Sequence, residues 1–364
     1  MGRGIFTKEL LKQAIRRIAR LKYNVLHMHL FDDQLMGIRF ETLPRLGREN
    51  PYALSIADLK EIIDYARTQH VEVSPEIESW GHVGSIIHHY PELFGAQGKY
   101  EGRAIGISPR SFDLFERMYR EIVPLVSDHA MVHLGLDEAS WKTLDDLPDP
   151  AQWNPERLVG ELHTRLQCVA RDCGKQVRTA IWADHGGRPV PKEFRNEIIL
   201  EPWAYHEWLE DEIVKYVRRY TDAGTPFIMG AGESSAHPAG AFGATRIWCR
   251  EAFYSPNCLG VVVCLWEGND FTRQLVSVFG GATPAWNPLA ADVIAHDRYR
   301  ERAYNAIGAR LRSYQTLFED AAEENIIKAR GPRVFRGFFL DGPQAGLPVA
   351  ETVTEVEREV HDWE

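Results

Sequence analysis

The chain has 364 residues, of which 44% are hydrophobic and 11% aromatic, enough apolar material for a large α/β core. Its formal net charge of -10 and the lack of a Lys/Arg run argue against nucleic acid or an anionic membrane as a partner. Five cysteines without CxxC spacing argue against a disulfide framework. With no signal-peptide pattern and no apolar run of about 18 residues, we expect a cytoplasmic protein without membrane spans.

Apolar, β-rich runs alternate along the chain with stretches of helical periodicity. Helices are predicted near residues 7–22, 55–69, 111–127 and 288–328. The predicted strands are 25–30, 71–75, 131–136, 177–182, 197–203, 226–230 and 259–266. This alternation is typical of repeated βα units around a parallel sheet.

Polar or aromatic residues follow every one of these seven strands, which predicts an α/β fold of the (β/α)8 TIM-barrel type, with its site at the carboxyl ends of the strands. A closed barrel needs an eighth strand, and the apolar run within 333–341 is the candidate. We therefore predict a circularly permuted barrel, one catalytic domain over residues 1–364, with the C-terminal segment as the strand that closes it. The alternative is that 333–341 forms a small appended element.

Two adjacent acids, Asp137 and Glu138, directly follow the strand predicted at 131–136. Neighbouring side chains on a strand point to opposite faces, so the pair suggests a division of labour at a turn. One carboxylate would reach a leaving-group oxygen and the other a neighbouring substituent. The alternative is an acidic pair that opens the next helix, where acids favour the helix dipole.

Further candidates follow other strands. His27, His29, Asp32 and Asp33 end the first strand, and His82 follows the second. An Asp–His–acid relay would tune Glu138 for proton transfer near neutral pH. Three indoles at separate strand ends suggest the wall of a sugar pocket, since their faces stack on sugar rings: Trp182, Trp203 and Trp266.

These motifs resemble those of glycoside hydrolase family 20, the β-N-acetylhexosaminidases. The family's H-x-G-G-D-E motif is matched by residues 133–138, and its K-x-N-x-x-H-x-H-x-x-D-D-Q block by 22–34. Its P-E-I-x-x-x-G-H segment is matched by 75–82, and its R-G-x-x-x-D motif resembles 336–341. The last match also favours the permuted order.

The resemblance implies removal of terminal N-acetylhexosamine from a glycan or glycoconjugate, with the substrate's own acetamido oxygen as nucleophile and no cofactor or metal. It makes Glu138 the general acid/base and Asp137 the group that orients the acetamido nitrogen, with Asp32 and His82 as the relay. Substrate-binding roles fall to Arg336 for sugar hydroxyls, Trp182, Trp203 and Trp266 around the acetamido group and ring, and Glu267 for distal hydroxyls.

The sequence departs from the family pattern at three places. Leu136 replaces the second glycine of the acid motif, and residues 227–240 contain no tyrosine where the family commonly has one for the acetamido oxygen. In addition, Glu267 directly follows Trp266, whereas the family usually has one residue between this tryptophan and a glutamate. Two other functions stay open. His27 and His29, two apart on one face, would suit a metal-dependent hydrolase, and the departures would suit a sugar-binding barrel without turnover.

Overall fold

A computed structural model describes residues 1–97, 103–140, 142–144, 147, 149–184, 189–233, 240–266, 278, 280–282 and 284–288. The chain divides into two compact units, Met1–Ala285 and Trp286–Glu364. Nearly all of the second unit lies outside the described residues. The expectation of a single domain over 1–364, closed by 333–341, therefore stays a prediction.

The first unit is built on a parallel sheet. The described strands are β1 Val25–His29, β2 Ile38–Arg39, β3 Leu54–Ser55, β4 Glu72–Glu76, β5 Phe94–Gln97, β6 Arg103–Ile105, β7 Met131–His133, β8 Arg178–Ala183, β9 Ile198–Pro202, β10 Phe227–Glu233 and β11 Cys258–Leu265. Seven of them form one sheet in the order β1-β4-β7-β8-β9-β10-β11, with every neighbouring pair parallel. All seven predicted strands are confirmed. The fold is α/β and resembles a TIM barrel that lacks one strand among the described residues.

Helices connect these strands. They are α1 Lys8–Arg20, α2 Ile56–Thr68, α3 Gly84–His89, α4 Pro109–Ile122, α5 Pro155–Asp172, α6 Glu210–Ala223 and α7 Gly240–Glu251. The starts of four of them follow from local side-chain chemistry, because Thr7, Ser55, Ser108 and Asn154 each accept a backbone N–H of the first turn. The predicted helices near 7–22, 55–69 and 111–127 are confirmed, whereas 288–328 lies almost entirely outside the described residues.

The interior of the sheet changes from apolar to polar toward the carboxyl ends of the strands. Met131, Ala180 and Ile199 form a small buried cluster on β7, β8 and β9. Residues two positions further along a strand lie on the same face. That layer holds His133, Trp182 and Glu201, all buried. The apolar layer supports the sheet, and the polar layer forms a floor beneath the strand ends.

Strands β1 and β11 are the two edges of the seven-stranded sheet. Val25 on β1 is 39% exposed and Leu259 on β11 is 49% exposed, which fits strands that lack a neighbour among the described residues. The proposed closing strand at 333–341 lies outside the described residues, so circular permutation stays a prediction. None of the described helices is both long and apolar enough to cross a membrane.

Candidate active site

The buried carboxylate of Glu76, at the end of β4, is the centre of a polar cluster. Its oxygens lie 2.7 Å from His29 Nδ1 and 3.1 Å from His27 Nε2. The indole of Trp182 donates to Glu76 Oε1 at 2.6 Å. Burial opposes ionisation of Glu76, but the imidazoles, first that of His29, outweigh it and lower its pKa well below 4.5. An anion is thus held under the strand ends by surrounding donors.

The side chain of His82 connects the other three predicted catalytic residues. Its Nδ1 lies 3.3 Å from Asp32 Oδ1, and its Nε2 lies 3.4 Å from both Asp137 Oδ2 and Glu138 Oε2. Burial disfavours the imidazolium, but Asp137 and then Asp32 outweigh it and raise the His82 pKa well above 6.5. The structure therefore brings these residues together as a relay requires, and their roles stay predictions.

Asp32 is held as an anion from several sides. Arg3 Nε donates to its Oδ2 at 2.8 Å, and His29 Nε2 lies 2.8 Å from the same atom. Burial opposes ionisation, but the charges of Arg3 and His82 outweigh it and lower the Asp32 pKa well below 3.8. Its neighbour Asp33 accepts from two backbone N–H groups, those of Gly84 and Arg103, which fixes the loop that carries His82.

A sharp turn after β7 explains how two adjacent acids reach the same cleft. Gly135, Leu136 and Glu138 all have positive φ, at 66°, 79° and 47°, so the extended alternation of side chains ends there. Leu136 thus has a left-handed backbone conformation, which is energetically less favourable for leucine than for glycine. Its side chain is fully buried. The backbone N–H of Glu138 donates to Asp184 Oδ2 at 2.9 Å, which fixes the turn to the end of β8.

The acidity of Asp137 is set by its burial. Burial raises its pKa to about 6, and the charge of His82 partly opposes the rise. Near neutral pH the group is therefore mostly an anion beside a protonated imidazole. Such an anion can accept a hydrogen bond from an amide N–H of a ligand.

The three predicted tryptophans form one aromatic cluster, but they differ in exposure. Trp182 is 2% exposed, so it is a floor residue bonded to Glu76, and its ring centroid lies 5.5 Å from that of Trp266. Trp203 donates to Asp184 at 3.3 Å. Its ring stacks on Tyr205 at 5.2 Å, and Tyr205 lies 6.5 Å from Trp266. Trp203, Tyr205 and Trp266 are the half-buried aromatic rings of this cluster.

Several residues of this cluster had no predicted role. Arg3 contacts residues at the ends of both edge strands, since it pairs with Asp32 and its guanidinium carbon lies 5.2 Å from the Trp266 ring centroid. Tyr205, two residues after Trp203, carried a recognisable signal as another strand-end aromatic. Glu78 and Glu201 are fully buried acids, a state that one sequence does not reveal.

Two predicted binding residues, Glu267 and Arg336, lie outside the described residues. Residues 234–239, which belong to the segment without the family's tyrosine, lie outside them as well. Among the described residues, the tyrosine of the aromatic cluster is Tyr205, whose ring stacks on that of Trp203.

Some sets of three side chains among the described residues could together hold a metal ion. Two of these sets lie in the polar floor: His27, Glu76 and His133, and His29, Glu76 and Glu78. Internal hydrogen bonds already engage several of their nitrogens. His133 Nδ1 accepts the N–H of Gly135 at 3.0 Å, and both nitrogens of His29 face carboxylates at 2.7 and 2.8 Å. A metal would have to displace these contacts.

The fold and the site together define a TIM-barrel-like α/β protein with a carboxylate pair at the ends of its parallel strands. Solved structures support this fold. A chitobiase from Flavobacterium johnsoniae aligns with a TM-score of 0.63 at 19% identity, covering 83% of this chain and 50% of that one. An N-acetyl-β-hexosaminidase from Streptomyces plicatus aligns with a TM-score of 0.55 at 23% identity, covering 81% and 64%.

The family follows from the sequence match. The model of the glycosyl hydrolase family 20 catalytic domain matches residues 1–234, and this chain belongs to that family. A β-hexosaminidase subunit beta of Felis catus is 26% identical over 221 residues, 58% of this chain and 41% of that protein. A β-N-acetylhexosaminidase of Cellulomonas fimi is 30% identical over 194 residues, 49% and 37%. The chain thus spans about two fifths of the length of these relatives.

Proposed function

We propose that this protein is a glycoside hydrolase that removes terminal β-linked N-acetylhexosamine from glycans or glycoconjugates, with retention of configuration. The observation that carries the proposal is the position of His82 Nε2, 3.4 Å from both Asp137 Oδ2 and Glu138 Oε2. Two acids that share one imidazole can act on two neighbouring atoms of one sugar. The similarity to β-hexosaminidases agrees with this substrate class.

In the first step Glu138 gives its proton to the glycosidic oxygen, and the bond between that oxygen and the anomeric carbon breaks. The substrate's 2-acetamido oxygen forms the new bond to the anomeric carbon, so the intermediate is an oxazolinium ion and no protein ester forms. Asp137, as an anion, accepts the acetamido N–H and stabilises the positive charge that develops on the amide.

In the second step the Glu138 carboxylate takes a proton from water, and the resulting hydroxide equivalent attacks the anomeric carbon. The oxazolinium ring opens, the acetamido group is restored and Glu138 regains its proton. The imidazolium of His82, held by Asp32, stabilises the Glu138 carboxylate between the two steps. Two inversions at the anomeric carbon leave the configuration retained.

The proposal is tested by hydrolysis of 4-nitrophenyl N-acetyl-β-glucosaminide, its galacto epimer and N,N′-diacetylchitobiose. We expect wild-type turnover, retention of configuration and inhibition by a thiazoline that mimics the oxazolinium ion. Glu138→Gln is expected to lose about 100- to 10,000-fold in kcat/KM on chitobiose, whose poor leaving group needs the proton, and less on the nitrophenyl substrates. Glu49→Gln, a surface acid with a 70% exposed side chain, serves as the control.

Several outcomes would contradict the proposal. Equal cleavage of chitobiose by Glu138→Gln and wild type would remove Glu138 as the acid. A trapped ester between sugar and protein would show that a protein carboxylate, and not the acetamido oxygen, is the nucleophile. Binding of N-acetylglucosamine without any hydrolysis would point to a sugar-binding barrel, and loss of hydrolysis on chelation would point to a metal-dependent hydrolase.

We also propose that residues 333–341 supply the strand that closes the barrel between β1 and β11. The exposed edge positions Val25 and Leu259 support this closure. The test compares hydrogen exchange in the full chain and in a chain truncated after residue 332. Truncation is expected to speed exchange in β1 and β11 while the central β7 and β8 stay protected. Unchanged exchange in both edge strands would refute the permuted order.

A further inference from the structure

Asp184, the residue directly after β8, has a carboxylate that contacts segments following both neighbouring strands. Its Oδ2 accepts the backbone N–H of Glu138, beyond the end of β7, at 2.9 Å. Its Oδ1 accepts the indole N–H of Trp203, directly after β9, at 3.3 Å. Because β7, β8 and β9 lie side by side in the sheet, one side chain connects three strand ends. The proposed mechanism assigns no role to Asp184.

The contact with Glu138 holds a backbone conformation that is unfavourable by itself. Glu138 has a φ of 47°, in the left-handed region, and a side chain other than glycine keeps such a conformation only where surrounding contacts determine it. A hydrogen bond from a backbone N–H to a carboxylate is stronger than one between neutral groups. From this backbone the Glu138 carboxyl group lies 3.4 Å from His82 Nε2. Asp184 therefore fixes the backbone from which the proposed acid projects.

The contact with Trp203 fixes the orientation of a ring in the aromatic cluster. Trp203 stacks on Tyr205, with ring centroids 5.2 Å apart, and the hydrogen bond to Asp184 sets the rotation of the indole within that stack. In the proposed function this ring lies against the sugar whose glycosidic oxygen Glu138 protonates. A misplacement of about 1 Å can cost about 100-fold in rate. Turnover therefore depends on the separation between the acid and the ring.

We propose that Asp184 is a positioning residue that holds the Glu138 backbone and the Trp203 indole at a fixed separation, so that the acid meets the glycosidic oxygen of a sugar lying against the ring. This inference rests on the proposed function, because the acid and the sugar are those of that mechanism. Asp184 itself exchanges no proton during the reaction. It acts through its two acceptor oxygens, one for each N–H.

The first test is Asp184→Asn, which keeps the shape of the side chain but has one acceptor oxygen. Its amide group, a donor, would face one of the two N–H groups. We expect a loss of about 10- to 100-fold in kcat on chitobiose, since one hydrogen bond to a charged group is lost. The loss on the nitrophenyl substrates should stay below about 5-fold, because their leaving group needs little help from the acid. Asp113→Asn, with a 71% exposed side chain on α4, is the matched control.

A second substitution provides a readout that a merely structural role would not move. Trp203→Phe keeps an aromatic ring but removes the indole N–H. In the double variant Asp184→Asn/Trp203→Phe, the one acceptor oxygen serves the Glu138 N–H, and the amide group no longer faces a donor. We expect the double variant to be about 3- to 10-fold more active on chitobiose than Asp184→Asn, whereas the losses at two independent sites would multiply.

Any of three results overturns the inference: Asp184→Asn as active on chitobiose as wild type, equal losses on chitobiose and the nitrophenyl substrates, or a double variant no more active than Asp184→Asn. If Asp184→Asn does not fold, Trp203→Phe decides, since it should lose more on chitobiose than on the nitrophenyl substrates, and equal losses refute the inference.

Hydrogen exchange separates this inference from the proposed function. Exchange in residues 135–140 is expected to quicken in Asp184→Asn, because the Glu138 N–H loses part of its protection. Unchanged exchange would refute the contact. Absence of hydrolysis by the wild type would instead remove the proposed function and leave the exchange result standing.

Discussion

Arg3 contacts two residues that follow the two edge strands of the sheet. It pairs with the buried Asp32 at the end of β1 and lies over the indole of Trp266 at the end of β11. A guanidinium can do both because it is planar, permanently charged and weakly hydrated. At this position its positive charge stabilises the Asp32 carboxylate, and the same guanidinium lies against the Trp266 ring.

Removal of that charge should be visible in the pH profile. Arg3→Met is expected to raise the Asp32 pKa, because the positive charge of Arg3 favours the Asp32 carboxylate more than any other neighbouring group does. The acid limb of kcat/KM should then move to higher pH, and kcat should fall by about 10-fold, the effect of losing one charge-assisted hydrogen bond. The measurement is a pH series of nitrophenyl glycoside hydrolysis.

Arg20→Met, at the exposed end of α1, is the matched control for Arg3→Met. It removes the same charge from the chain without touching the cleft. An acid limb that stays in place in Arg3→Met would show that Asp32 does not depend on Arg3.

At the scale of elements, the turn after β7 determines the direction of both acids. It is built on backbone conformations with positive φ, and Gly135 packs directly against the Glu78 carboxyl group. A side chain at residue 135 would therefore have an unfavourable backbone angle and would also clash with Glu78. Gly174 separates these two effects, because it has the same φ of +66° but nothing within 4 Å of its ideal Cβ.

We expect Gly174→Ala to lower the free energy of unfolding by about 1 kcal/mol, the cost of a left-handed alanine. Gly135→Ala should cost about 2–4 kcal/mol, because overpacking adds about 1–3 kcal/mol. Urea unfolding of the two variants measures the difference. Equal losses would mean that the Glu78 carboxyl group moves aside without cost.

At the scale of the whole molecule, the buried titratable groups make stability depend on pH. The pKa of Glu201 is raised by burial to about 8. The pKa of His29 is raised to about 9, because Glu76 and Asp32 outweigh its burial. Both groups hold a proton in the folded state at pH values where the unfolded chain, at about 4.3 for Glu and 6.5 for His, has released it.

A folded state that binds more protons loses stability as pH rises. For Glu201 the loss extends from about pH 4 to its folded pKa of about 8, and for His29 from about 6.5 to about 9. The buried His133, whose pKa is lowered to about 4, acts in the opposite direction below about 6.5. We therefore expect Tm to fall between about pH 6.5 and 9, which calorimetry would measure.

The Glu201→Gln variant provides the comparison for this pH effect. Because glutamine does not titrate, the fall in Tm between about pH 6.5 and 8 should be shallower in the variant. A Tm that rises across that range in the wild type would show that the buried acids are ionised in the folded protein.

The sequence by itself determined the strands and the principal acids. Short apolar runs rich in β-branched residues, such as that of β11, mark strands because their pattern is local, and each was found in place. The motifs around Asp137 and His82 could be recognised because they occupy short continuous segments. Their meeting at one cleft followed from parallel strands, whose carboxyl ends share one edge of the sheet.

Only the tertiary structure decided which groups contact each other and in which protonation state. Trp182 was predicted as a pocket wall and lies on the floor, bonded to Glu76. Arg3 meets Asp32 across 29 positions in the sequence, and the Glu78 carboxyl group packs against Gly135 from another strand. A pKa depends on burial and on charges within a few ångströms, and both arise when distant segments pack together, which local sequence patterns do not specify.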